Sequence, residues 1–353
     1  MTPSPIQTAI LSFGMSGQVF HAPFLAVDSR FQFSAVWERS KNLAEQKYPG
    51  VKTYRKLEDL LSDDTIELVI VNTPNYSHFE YVKKSLEAGK HVVVEKPFTS
   101  TVKEGQELIA IAKKKGKLLS VYQNRRFDSD YRTVKQVVES GILGRIVEAE
   151  LHFDRYKEDL SPKVHKETPG PGTGVLYDLG SHLIDQALQL FGMPDSIFAD
   201  IQILRPGSQV DDYFELLFYY PQLRVRVHSS YVVREPLPSY IFHGTKGSFI
   251  KAKTDIQEAE LMKGAVPGGS DWGKEPESEK GLLHAEKNGK EIREYIPSLR
   301  GNYGDYYEGI YRSIRLHEPV VVAAEQGLDV IRIIEAAKRS NEKREVIDME
   351  KSL

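Results

Sequence analysis

From Ile6 to Tyr122 the sequence alternates short apolar runs with helical segments, and that alternation leaves few folds open. Ile6 to Leu11, Phe31 to Trp37, Val51 to Tyr54, Glu67 to Val71, Val92 to Glu95 and Lys117 to Tyr122 read as strands. Helical segments fall between them, at Ser40–Tyr48, Lys56–Leu61, Phe79–Ala88 and Val102–Lys115, with Gly89 and Gly116 placed to end the last two. Leu68-Val69-Ile70-Val71 and Val92-Val93-Val94 are apolar without interruption, as strands covered on both faces must be. The expected fold class is α/β, opening with a doubly wound parallel sheet. In such a sheet, ligands bind beyond the carboxyl ends of the strands.

Four of those ends carry polar residues. The first strand runs into Ser12-Phe13-Gly14-Met15-Ser16-Gly17-Gln18-Val19-Phe20. This has the second and third glycines of a G-x-G-x-x-G turn, with serine at the first. Gly14 would let backbone approach a pyrophosphate, Gly17 would let helix and strand pack, and the amides from Met15 to Val19 open a helix toward phosphate. A lone G-x-x-G is equally an ordinary turn. Glu38-Arg39-Ser40 ends the second strand: an acid there holds a ribose 2′-hydroxyl, an arginine a 2′-phosphate, so NAD and NADP both remain open. Asn72-Thr73-Pro74-Asn75-Tyr76-Ser77-His78 reads as turn and cap chemistry, which can also face a ligand. Glu95-Lys96-Pro97 aims a lysine at whatever the sheet binds; the bland alternative is a solvated lysine closing a strand.

Beyond Asn124 the alternation stops, which divides the chain into a dinucleotide-binding domain, 1–124, and a second domain, 125–353. A helix is expected over Tyr131–Ser140 and another from about Leu179 to Phe191, with a Pro/Gly-rich loop at Ser161–Thr173. Strands follow at Ile146–Phe153, Ile197–Leu204, Tyr213–Tyr220, Arg224–Val233, Tyr240–His243 and Ser248–Lys251. With no comparable helices between the later ones, they predict a large, mostly antiparallel open sheet with helices on one face. Lys287-Asn288-Gly289-Lys290 signals a hairpin, and helices at Tyr303–Leu316 and Glu325–Ser340 finish the chain.

Asp178 and His182 lie four apart, on one face of a helix, with Asp185 three further on. A histidine beside a carboxylate is the usual general base near neutral pH. The alternatives are a capping Asp178, a satisfied core histidine, or a metal set of Asp178, His182 and Asp185 that would need ligands from elsewhere; no metal is expected. Removing hydride from an alcohol also requires removing its hydroxyl proton. A lysine polarising the oxygen and a histidine taking the proton meet that need, with a nicotinamide cofactor doing the redox work.

Composition narrows the partners. A net charge of −3 gives no electrostatic case for nucleic acid. No apolar run approaches the roughly 20 residues of a membrane span. The absence of cysteine excludes disulfides and cysteine-bound metal. The first seven residues lack the basic and apolar blocks of a secretion signal, so a cytoplasmic protein is expected.

Taken together, Ser12–Gly17, Glu95-Lys96-Pro97 and Asp178-x-x-x-His182 resemble the Gfo/Idh/MocA oxidoreductases over essentially the whole chain. Gly14–Pro23 and Tyr177–His182 look most like the branch containing scyllo-inositol dehydrogenases. The resemblance implies NADP or NAD and interconversion of a ring hydroxyl and a ketone on a sugar or cyclitol. It implies an open sheet that often forms a dimer interface, hence a homodimer or homotetramer. Lys96 matches the family's catalytic lysine, ahead of a commonly cis Pro97, and Asp178 and His182 match its catalytic pair. Asn72, Thr73, Asn75, His78, Glu95, Gln123 and Arg125 would line the cofactor, and Arg155 and Tyr156 would reach the substrate. Ser12 in place of glycine is expected to loosen the phosphate turn, and Thr173 to reshape the substrate loop. Two further activities occur in such proteins: glycoside cleavage with transient use of the cofactor, and regulation by dinucleotide binding without turnover.

Overall fold

The computed structural model describes residues 4–162 and 164–349. Met1–Pro3, part of the N-terminal stretch read above, and Lys163, within the Ser161–Thr173 stretch, lie outside the described residues. The chain forms two compact units. One runs up to Asn124 and takes in Ile256–Trp272 and Asn302–Leu328; the other comprises Arg125–Asp255, Gly273–Gly301 and the chain from Asp329.

The first unit holds a six-stranded parallel sheet: β1 (Ile6–Ile10), β2 (Phe31–Trp37), β3 (Lys52–Tyr54), β4 (Leu68–Val71), β5 (His91–Glu95) and β6 (Leu119–Tyr122). Their order, β3-β2-β1-β4-β5-β6, reverses direction between β1 and β4, the switch point at which such sheets bind dinucleotides. Val69–Val71 and Val92–Val94 are fully buried, which is why they are apolar without alternation. Gly89 and Gly116 take left-handed φ of +76° and +61° at helix ends. The helix expected over Ser40–Tyr48 is confined to Leu43–Lys47, because Glu38 carboxylate oxygens accept the Leu43 and Ala44 N–H groups and start it there (3.3 and 3.1 Å). The helix Gln257–Met262 was not expected from its polar sequence; the buried Gln257 side chain accepts the N–H of Tyr303 at 2.8 Å. Tyr303, Tyr306 and Tyr307, at the start of helix Gly304–Leu316, are almost wholly buried among Phe24, Phe31 and Tyr122.

The second unit is built on a nine-stranded sheet: β7 (Ile146–His152), β8 (Ser196–Gln202), β9 (Tyr213–Tyr220), β10 (Leu223–Ser230), β11 (Tyr240–Gly244), β12 (Gly247–Lys251), β13 (Gly281–Lys287), β14 (Lys290–Ile296) and β15 (Ile347–Asp348). The order is β14-β13-β12-β11-β7-β10-β9-β8-β15. Neighbours are antiparallel except β7 and β10, which run parallel. Ala149, Leu151, Val225 and Val227 are buried on the face covered by helices Ser129–Glu139 and Ser181–Phe191. The alternate positions, among them Glu150 and Arg226, pair with one another on the other face (2.8 Å). Asn288 and Gly289 both have positive φ, 54° and 73°, as the tightest hairpin turn requires. Two expectations change. The Ser161–Thr173 loop contains one helical turn, Val164–Glu167, with the Glu167 carboxylate accepting the Ser161 N–H at 2.7 Å. The helix expected from Leu179 begins earlier, as a π-helical turn over Leu176–Gly180, before α-helix Ser181–Phe191.

Candidate active site

In the first unit the phosphate turn is pinned rather than loosened by Ser12. Ser12 does not take positive φ, so no glycine is needed there. Its hydroxyl accepts the Gly14 N–H (3.3 Å), and its carbonyl accepts the Asn72 side-chain amide (2.7 Å), tying β1 to the end of β4. Gly17 is required on space alone: a Cβ there would lie 2.3 Å from the Ser12 carbonyl oxygen. The chain then enters a π-helical turn, Gly17–His21. Ser12, Gly14, Gln18, Glu38, Arg39 and Thr73 are among the residues lining a cavity of about 350 Å³ at this edge of the sheet. Met15, in the same turn, is exposed.

Lys96 follows β5 directly, and the Lys96–Pro97 peptide is cis. Glu95 points into a buried chain of polar groups. It accepts from Ser16 Oγ at 2.5 Å and lies 3.0 Å from His21 Nε2, while His21 Nδ1 lies 2.7 Å from the Tyr307 hydroxyl. Burial pushes the Glu95 carboxyl up, but His21, Ser16 and Lys96 outweigh it and hold the group below the usual carboxylate range. His78 is fully enclosed, its two ring nitrogens 2.9 and 3.0 Å from the carbonyls of Pro97 and Thr73. Burial lowers its pKa against those two bonds. This histidine therefore braces the turns after β4 and β5. Ser77 secures the same turn through Thr73 Oγ1 and the Pro74 carbonyl (2.8 and 2.7 Å), and Asn75 opens it.

A dinucleotide fits these residues. Asn72 Oδ1 and Gln123 Oε1 are buried acceptors without a hydrogen-bond partner among the described residues, at the carboxyl ends of β4 and β6. Such atoms are costly unless a ligand or water satisfies them. With the glycine turn held by Ser12 and Asn72, they leave amide and backbone groups at this edge of the sheet.

In the second unit, Asp178 sits inside the π-helical turn and His182 in the first turn of the α-helix after it. The wider i→i+5 turn means that their four-residue spacing is not that of a regular helix. Gly174 (φ +95°) allows the approach of Asp211, whose carboxylate accepts the Leu176 N–H at 2.8 Å and fixes the start of the turn. Thr173 replaces glycine without strain; its φ is not positive and its hydroxyl bridges the Gly170 N–H and carbonyl (3.1 and 2.9 Å). His182 is buried, whereas the Asp178 side chain is 34% exposed and ion-paired with Lys166 at 3.3 Å. Asp185 belongs to a different arrangement: it accepts two bonds from the Arg126 guanidinium (2.7 and 2.6 Å) inside the unit, so it does not serve as a ligand beside His182. Arg125 pairs with Asp128 (3.3 Å) and lies over the Phe153 ring, as Arg155 does from the same strand end. Tyr156 is exposed and donates to Glu158 at 2.8 Å. Lys157 has a pKa lowered first by burial and then by Arg155 and Lys166. Sequence reasoning missed His21, Tyr307, Lys157 and Lys166. Lys166 was visible as a basic residue within the Pro/Gly-rich stretch, and Lys157 as one just ahead of it.

Two family models match in tandem. Residues 6–123 fit the Gfo/Idh/MocA oxidoreductase family's NAD-binding Rossmann fold, and residues 135–349 its C-terminal alpha/beta domain. The chain is a Gfo/Idh/MocA oxidoreductase. As a member it is a dehydrogenase that uses NAD or NADP and acts on a small molecule. The scyllo-inositol 2-dehydrogenase (NADP(+)) IolW of Bacillus subtilis is 39% identical over 98% of this chain and 96% of its own. An oxidoreductase crystal structure from Bacteroides fragilis superposes with a TM-score of 0.90 at 47% identity, covering 98% of this chain and all of that one. The yvaA oxidoreductase of Bacillus subtilis superposes at 0.96 with 39% identity, over 99% and 100%. No helix among the described residues of this Gfo/Idh/MocA protein is long and apolar enough to cross a membrane.

Proposed function

We propose that this enzyme is an NADP-dependent dehydrogenase interconverting a ring hydroxyl and a ketone on a cyclitol or sugar. The observation that carries the reading is Lys96, delivered by a buried parallel strand to the carboxyl edge of the sheet, directly after Glu95, which accepts from Ser16 of the glycine turn. The relationship to the inositol enzyme supports the substrate class. When bound, the cofactor supplies the hydride acceptor. Lys96 holds the substrate oxygen and stabilises negative charge building on it. His182 takes the hydroxyl proton, and Asp178 supports the resulting imidazolium. Asn72, Thr73, Asn75, Gln123 and Arg125 are assigned to the cofactor, and Arg155 and Tyr156 to the substrate. The reading requires the amine and the imidazole to meet at one substrate. It takes residues 1–124 as the dinucleotide-binding domain and 125–353 as the substrate-binding domain of a cytoplasmic homodimer or homotetramer.

The choice of NADP follows from Glu38. Its carboxylate is 7% exposed at the residue level and is consumed by two helix-starting amides, leaving Arg39 and Ser40 exposed beside the cavity for a 2′-phosphate. Arg39→Ala should raise the KM for NADP by about 10- to 100-fold, the worth of one charge-assisted contact, and leave NAD unchanged. The direct test is to follow reduced nicotinamide with both cofactors against inositols, aldoses and glucosides. Tight dinucleotide binding without redox on any of them would overturn the reading.

A further inference from the structure

His152, Asp154 and His228 play no part in the site above. β7 and β10 run side by side, with His152 directly opposite His228. Asp154 stands two residues beyond His152, and the three side chains meet on the sheet face away from Ala149 and Leu151. One ligand atom from each lies within 4.8 Å of the others. His228 Nδ1 is 2.9 Å from Asp154 Oδ1, and His152 Nδ1 is 3.8 Å from Asp154 Oδ2.

The directions of these groups are more telling than their distances. Neither histidine Nδ1 makes a hydrogen bond among the described residues, although both atoms are buried. The carboxylate is close to His228 without lying along an N–H bond. The far side of His152 is committed, with Nε2 2.7 Å from Glu150, whose other oxygen accepts from Arg226 at 2.8 Å. Asp154 is oriented by the Ser230 N–H at 2.9 Å. With the His152 proton on Nε2, its Nδ1 lone pair faces the cluster. Metal-bound histidines are held in the same way, by a carboxylate on the second nitrogen.

We infer that His152, Asp154 and His228 bind one divalent cation of the zinc class, clamping β7 to β10. Tetrahedral ligands about 2.0–2.1 Å from a zinc ion stand roughly 3.3 Å apart, between the two separations found here, so small shifts close the site around the ion. Two nitrogen donors and one oxygen favour Zn²⁺, Co²⁺ or Ni²⁺ over Mg²⁺ or Ca²⁺. Water completes the shell. The clamp also fixes the segment that continues into Arg155 and Tyr156.

The test uses the full chain without a histidine tag, stripped by a chelator and dialysed, with Zn²⁺ titrated against a chromophoric chelator. One equivalent should bind at roughly micromolar Kd or tighter. His228→Ala and His152→Ala should each weaken binding by at least about 100-fold, and Glu150→Gln by about 10-fold. His284→Ala, which removes an exposed histidine beside Glu291, should change nothing. Absence of tight stoichiometric binding by the wild-type protein overturns the inference, whether or not the variants fold. So does binding that survives loss of both His152 and His228.

Discussion

Two π-helical turns, one in each unit, are held in opposite ways. Over Gly17–His21, in the first unit, the titratable group is sealed: His21 is fully buried between Glu95 and Tyr307, Ser16 is bound to the same carboxylate, and Gln18 lines the cavity. Over Leu176–Gly180, in the second, the backbone is fixed by Asp211, but Asp178 remains a third exposed and meets a surface lysine. The cofactor end is thus rigid by construction. The end assigned to the substrate keeps one adjustable charge on a rigid turn. Loops of this kind vary in function because the scaffold beneath them does not move.

The largest expected effect falls on the buried pair Arg126–Asp185, whose Asp185 lies in the helix that continues from the second turn. Asp185→Asn leaves the Arg126 guanidinium enclosed without its counter-charge and should cost about 3–5 kcal/mol in denaturant unfolding. A loss below about 1 kcal/mol would mean that the second unit is not pinned as described. Lys96→Ala should lower kcat/KM by about 10²–10³-fold, the range for losing one group that stabilises developing charge, while the melting temperature stays within a few degrees. Wild-type turnover in that variant would remove the lysine from the chemistry. Asp178→Asn should lower kcat by only about 10-fold, or ~1.4 kcal/mol, since an exposed carboxylate acts through solvent screening. Equal losses in the Asp178 and Lys96 variants would erase the distinction between the two ends. The smallest effect is a pH dependence. The Glu95 carboxyl is held below its unfolded value, so its ionised form stabilises the fold at neutral pH. That contribution fades as pH falls through the ordinary carboxylate range, near about 4, toward the folded pKa. Melting curves of wild type and Glu95→Gln should therefore converge on acidification; a constant gap would contradict the linkage.

How much of this was legible depends on whether a residue's role is local. β4 and β5 announced themselves because burial on both faces leaves no polar position. Asn288-Gly289 did so because few other pairs accept two positive φ angles. Lys96 was found by counting strand ends. Glu38 shows the limit: an acid after the second strand reads as a ribose ligand, and only coordinates reveal that its oxygens cap the next helix. Asp185 had the same fate, its partner Arg126 being distant in sequence. The π-helical turns were invisible, since an apolar stripe does not distinguish a turn of one width from another. The two-residue β15 was too short to carry a pattern, and His21 looked like an unremarkable residue until Glu95 and Tyr307 closed on it.

Tyr303, Tyr306 and Tyr307 fill the interior of the unit that begins at the N-terminus, yet they are synthesised long after its six strands. During translation, the early sheet must wait, with Phe24, Phe31 and Tyr122 uncovered, until nearly the whole message has been read. A gene fragment ending at Asn124 would encode every strand of that sheet and still yield a sticky, incomplete product.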